Sequence, residues 1–189
     1  MARIEFDVNS ENLSLAVAKE VLHRRKSMVE EATVLADFLL DWGEKVKRVG
    51  VAGSLSRGKR RPGDIDLVVF IDNDEAKKCQ NNRNELMKKG EGDSQVYEYL
   101  GMDYGKWNVF VFLHDMFREC RKYPVDVIVA SDCPDEEYLK LAKEGNVSPK
   151  FLENILNDVV LYDPEMEGFR KENVFTEEQM KLVKQMSLF

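Results

Sequence analysis

The chain has 189 residues, 43% apolar and 33% charged, and its 28 basic against 35 acidic groups leave a net charge of −7. This is the size of one domain with an appended segment, long enough to bury a core, and its acidic balance excludes a protein that coats nucleic acid by bulk charge. The longest apolar runs, Leu67 to Ile71 and Val109 to Leu113, are too short to cross a bilayer, and the opening Met-Ala-Arg-Ile-Glu-Phe lacks the apolar core of a secretory signal.

The first element is a predicted strand in which Ile4, Phe6 and Val8 alternate with polar residues. From Ser10 to Trp42 there is no Gly or Pro, which predicts helix. Leu13, Val17 and Val21 form one apolar stripe, and Met28, Ala32, Leu35 and Leu39 form a second. The polar run His23-Arg24-Arg25-Lys26 separates them, and Ser27 with Glu30 resembles a capping box. One bent helix or two helices fit; we read two, and take the polar run as a solvated helix end.

Gly43 closes that region and Val46 to Ala52 reads as a strand. Gly53-Ser54 opens a turn containing Arg57, Lys59, Arg60 and Arg61. Asp64 to Ile71 follows, an apolar run bounded by turn signals, as expected of a strand buried on both faces. Asp72 and Asn73 can cap a polar helix reaching about Lys89.

Residues 90–105 read as loop and 106–121 as a buried helix. Val125 to Ala130 is a further apolar strand. Asp135 to Lys143 and Pro149 to Leu156 read as helices, and Val159 to Tyr162 as a last edge strand. Thr176 and Gln179 form a capping box ahead of a short amphipathic helix with Met180, Val183 and Met186. That helix is either a docking helix or an oligomer contact. The expected division is a strand and helical extension over 1–45, a central domain over 46–163 and a tail over 164–189.

Cys79, Cys120 and Cys133 form no Cys-x-x-Cys pair, which predicts reduced thiols in a cytoplasm. His23 and His114 are the only histidines, too few for a His-rich zinc site. Any chemistry therefore rests on carboxylates, Ser, Lys or Arg. The cysteines and His114 are expected in the core. Tyr97, Tyr99 and Tyr104 are expected to pack rather than to stack a base.

Three features stand in a suggestive order. Gly53-Ser54 ends a predicted strand, Asp64-x-Asp66 opens the next, and Asp126 interrupts a later apolar strand. Residues two apart in a strand share a face, so Asp64 and Asp66 project together while Ile65 points into the core. Parallel carboxylates repel and are costly to desolvate. A divalent cation relieves both costs, and three hard oxygen ligands suit Mg2+ or Mn2+. Gly lets backbone approach a phosphate, and a Ser hydroxyl with nearby amides can bind its oxygens. Residues 1–61 carry 12 basic and 9 acidic groups, the remainder 16 and 26, so the positive side lies around this turn.

Val49 to Gly58 followed by Gly63-Asp64-Ile65-Asp66-Leu67-Val68-Val69, with Val125-Asp126-Val127, resembles the signature of the DNA polymerase beta-type nucleotidyltransferase superfamily. The resemblance covers about residues 46 to 162 and is specific as an ordered set. Its nearest likeness is to the minimal nucleotidyltransferase group, through the segments Pro149 to Leu152 and Val160 to Asp163.

The resemblance implies an α/β (α+β) nucleotidyltransferase fold, a mixed sheet flanked by helices with a helical N-terminal extension. It implies that Gly53, Ser54 and Arg57 hold the triphosphate of a nucleotide such as ATP. Asp64, Asp66 and Asp126 would be catalytic and bind Mg2+ or Mn2+. Asp126 would also help to deprotonate the acceptor. The implied reaction moves a nucleoside monophosphate to an acceptor hydroxyl on a small molecule, a protein or an RNA end. Alternatives are a family X-like polymerase palm, or a catalytically idle antitoxin-like module that binds nucleotide or a helical partner protein. The chain departs from the smallest members in its longer stretch between Ile71 and Lys106, and it shows no helix-hairpin-helix repeat.

Overall fold

Residues 8–59, 62–88, 123, 125–144 and 157–187 are described by the structure, a computed structural model. The elements in chain order are α1 (Val8–Trp42), β1 (Val46–Ala52), α2 (Gly53–Ser56), β2 (Ile65–Ile71), α3 (Asn73–Lys88), β3 (Val125–Ser131), α4 (Glu136–Glu144), β4 (Val160–Asp163), β5 (Gly168–Arg170) and α5 (Glu177–Ser187). The expected segments 90–105, 106–121 and 149–156 lie outside the described residues, as do Ile4 and Phe6.

The five strands form one mixed sheet in the order β3-β2-β1-β4-β5. β2 and β3 are parallel, and the other neighbours are antiparallel. The parallel pair is bridged by a crossover that includes α3, as parallel strands require. β2 is buried at every position except Asp66, which is half-buried. Its Ile65, Leu67, Val68, Val69, Phe70 and Ile71 are at most 1% exposed.

Register and pleat explain that burial on both sides. Val51 and Leu67 are paired, as are Val51 and Val160, so these share one face. α1 covers that face through Met28, Ala32, Leu35, Ala36 and Leu39, all buried. The Tyr162 hydroxyl donates to Asp37 Oδ1 of α1 at 2.6 Å. Burial and the Asp37 carboxylate push the Tyr162 phenol well above its usual range. Ala52, Asp66, Val68 and Phe70 point to the opposite face, where Phe70 meets Phe175 edge-on at 6.2 Å. Val183 of α5 is fully buried in the same core.

α1 is one continuous helix, not two, and Val8 belongs to it rather than to a strand. The Ser27 cap does not form. A cap contributes about 1 kcal/mol, whereas a break would orphan backbone groups at two new helix ends. Arg and Lys are also good helix formers. β4 is not an edge strand: β5 pairs beyond it, Tyr162 opposite Phe169.

The expected caps at Asp72 and Thr176 form, and Asp135 supplies one that the sequence did not lead us to expect. Asp74 N–H donates to Asp72 Oδ1 at 2.9 Å, and Tyr138 N–H donates to Asp135 Oδ1 at 2.9 Å. Thr176 and Gln179 exchange side chain-to-backbone bonds in both directions. Lys77 on α3 pairs with Asp135 at 2.7 Å and with Glu137 on α4 at 2.9 Å. These two carboxylates raise the Lys77 ammonium above its usual range. Among the described cysteines Cys79 is buried, but Cys133 is exposed rather than in the core.

No helix among the described residues is long and apolar enough to cross a membrane.

Candidate functional site

β1 ends where β2 and β3 begin, so one edge of the sheet collects the chain turns that carry the candidate residues. Across it the register is Ala52 opposite Asp66 and Asp66 opposite Asp126. Laterally paired positions share a face of a sheet. The positions of Asp66 and Asp126 are therefore neighbours on one face, and Gly53 follows directly from Ala52. Asp64 sits in the bend just ahead of β2, half-buried, rather than inside the strand. The Asp126 side chain is outside the described residues.

The Gly-Ser turn is built for close approach. Gly53 has φ +69°, a left-handed conformation that costs a side-chain-bearing residue about 1–2 kcal/mol. A Cβ there would lie on top of Asp66 Oδ2. The absence of that carbon is what lets the carboxylate rest against the turn. α2 starts at Gly53 with no side-chain cap. The Ser56 hydroxyl bonds internally to Gly53 O at 3.1 Å. Ser54 Oγ is buried and has no hydrogen-bond partner among the described residues.

The cations are arranged differently from the expectation. Arg57 is exposed, and its Nη1 pairs with Asp158 Oδ2 at 2.8 Å, just ahead of β4. Lys59 is exposed, while Arg60 and Arg61 lie outside the described residues.

Sequence reading missed Arg25. It lies well inside α1, half-buried, and its Nη1 donates to Gly58 O at 3.5 Å, a long contact. Arg24 stacks over the Tyr123 ring at 5.0 Å, two residues before β3. The polar run 23–26 is thus not a solvated helix end: two of its arginines pack against the turns at the acid-bearing edge. The signal was in the spacing, because Arg25 continues the buried stripe Met28, Ala32, Leu35 and Leu39 at helical period.

Among the described residues no group of three or more His, Cys, Asp or Glu side chains could hold a metal ion. The candidate set includes Asp126 and so extends beyond them.

The family of unknown function DUF6932 matches residues 5–148, and the chain belongs to that family. No curated protein and no solved structure matches it.

Proposed function

We propose that the chain is a nucleotidyltransferase with the nucleotidyltransferase fold of the polymerase beta type, acting in the cytoplasm on a nucleoside triphosphate and an acceptor hydroxyl. The observation that carries this reading is the lateral row Ala52, Asp66 and Asp126. It brings a Gly-Ser turn and two acid-bearing strands to one edge of a sheet. The exposed Cys133 forms no disulfide among the described residues, which fits a reducing compartment.

The residues suit a divalent cation. The donor set is hard oxygen, and the glycine at 53 leaves room for a carboxylate against the turn. Asp64, Asp66 and Asp126 would hold Mg2+ or Mn2+. Bound there, the metal would neutralise triphosphate charge and supply Lewis-acid stabilisation to the transfer.

The chain's own groups do the rest. Gly53 and Ser54 hold phosphate oxygens, giving the Ser54 hydroxyl the partner it lacks among the described residues. The carboxylate of Asp126 accepts the acceptor's proton. The acceptor oxygen then bonds to the α-phosphorus. The bond from that phosphorus to its bridging oxygen breaks, and the electron pair leaves with pyrophosphate. Arg57, exchanging Asp158 for phosphate, stabilises that departing charge.

The test is incubation with α-labelled nucleoside triphosphates and Mg2+ or Mn2+, with small hydroxyl compounds, proteins or RNA offered as acceptors. Label moves to one acceptor class with wild type and not with Asp66→Asn. Nucleotide binding without transfer to any class supports the idle module instead. No binding of labelled triphosphate in equilibrium dialysis overturns both.

A further inference from the structure

The face of the sheet that α1 covers, opposite to the face of Asp66, holds a cavity of about 230 Å3. Its floor is Val51 and Val160, paired across β1 and β4, with Phe169 of β5 beside them. Its roof is Arg25 and Val29, one turn apart on α1, and Ser56 of α2 stands at one end. The walls are thus apolar apart from one guanidinium and one hydroxyl, and that hydroxyl already bonds to Gly53 O.

Arg25 is the unusual member. Its hydrogen bond to Gly58 O is long, at 3.5 Å, and a guanidinium has five donors to satisfy. Among the described residues no carboxylate lies within ion-pair distance of it. A half-buried cation over an apolar hollow is costly unless an anion joins it. The hollow also has an approach. It shares Arg25 and Val29 with an open groove of about 720 Å3 along α1, and that groove adds Lys26, Glu30 and Glu167. Lys26 and Glu30 pair with each other at 3.6 Å, Glu167 lines the outer groove and not the hollow, and among the described residues Arg25 is the cation that lines the hollow itself.

We propose that this cavity binds an amphipathic monocarboxylate, with its apolar body against Val51, Val160 and Phe169 and its carboxylate on Arg25. The guanidinium fork matches a carboxylate in bidentate geometry. One cation balances one negative charge, whereas a phosphate dianion would bring an unbalanced charge into an apolar hollow. The volume lies below the ~300 Å3 where drug-sized pockets begin, so the body is the size of a medium-chain acyl or phenylalkyl group. The site stands independently of nucleotidyl transfer.

Titration calorimetry with octanoate, octanol and octyl phosphate tests it on the full chain. Octanoate binds wild type at least about tenfold more tightly than octanol. Arg25→Gln brings octanoate down to the octanol level, Arg25→Lys retains part of the difference, and Val29→Phe, which fills the hollow, abolishes binding of both. Should Arg25→Gln melt as an unfolded chain, the octanoate-to-octanol ratio and Val29→Phe decide alone. Equal binding of octanoate and octanol, no octanoate binding at millimolar concentration, or binding that survives Val29→Phe overturns the site. Tighter binding of octyl phosphate than of octanoate overturns the monocarboxylate assignment.

Discussion

Asp66 and Asp126 stand opposite one another across the parallel β2–β3 ladder. Each is the second residue of its strand, and each is an acid in an otherwise apolar run up to the strand's final residues. Two carboxylate-bearing positions side by side repel, and a cation would relieve them. Asp66→Asn therefore lowers transfer by at least about a hundredfold while the fold persists. The metal-free Asp66→Asn protein melts no lower than metal-free wild type. Mg2+ at a hundredfold excess over its dissociation constant stabilises wild type by about 2.7 kcal/mol and the variant far less. Thermal melts of both proteins with and without Mg2+ measure this. A metal-free variant that melts lower, with equal Mg2+ shifts, would show that Asp66 serves structure instead.

Gly53 tests the close approach at the same edge. Gly53→Ala forces a methyl onto the Asp66 carboxylate and a side chain into φ +69°. The expected cost is about 1–3 kcal/mol, read from denaturant unfolding. Triphosphate affinity falls with it, because the carboxylate is displaced. Gly63→Ala, where a Cβ meets nothing within 4 Å, serves as the control and leaves affinity unchanged.

Arg57 and Asp158 form an ion pair with side chains 44% and 31% exposed, worth about 0.2–1 kcal/mol. Its loss is small for stability but not for the proposed transfer. Asp158→Asn releases the guanidinium and lowers KM for the triphosphate, whereas Arg57→Ala raises it, with the melting temperature nearly constant in both. Steady-state kinetics separate the two variants. Parallel changes in KM would remove Arg57 from the phosphate site.

Glu75 gives a pH dependence. Hydrogen bonds and ion pairs from Lys45 and Lys78 lower its carboxyl from 4.5 to about 2. A carboxyl depressed on folding contributes stability above its unfolded pKa, and that contribution fades as pH falls from about 4.5 towards 2. The side chain is 27% exposed, so solvent screening reduces the effect to about 1 kcal/mol or less. Glu75→Gln flattens this part of the acid limb of the stability curve, and salt reduces the difference between the proteins.

Much of this molecule was legible because local signals agreed with the fold. The run Leu67 to Ile71, bounded by turn residues, is β2, paired on both sides, and Asp72 and Thr176 cap the helices they precede. The order of Gly53-Ser54, Asp64-x-Asp66 and Asp126 anticipated that they share one edge, since β-strands with apolar interiors pair. What was missed depends on partners distant in sequence. α1 is continuous because its backbone ladder outweighs a weak internal cap. β5 is three residues long, too short to show a period, and exists by pairing with β4. Arg57 finds its partner 101 residues away. Arg25 was hidden because a charge in the register of a buried stripe reads as solvated until the neighbouring turn is known.

Arg48, near the start of β1, pairs with Asp132 just past the end of β3 and donates to the Val174 carbonyl at 3.1 Å. Its guanidinium also lies 5.1 Å above the Phe70 ring. This clasp has a consequence for the order of assembly. β1 and β2 are close in sequence and can meet early, but Arg48 and Val174 are 126 residues apart. At cellular rates of synthesis the ribosome needs about 6–25 s to make that much chain. Through most of that interval Phe70 has no Phe175 to pack against its ring. The stretch that packs on Arg48 and Phe70 is made long after them, so a chain truncated before Val174 lacks that cover and is more exposed to aggregation.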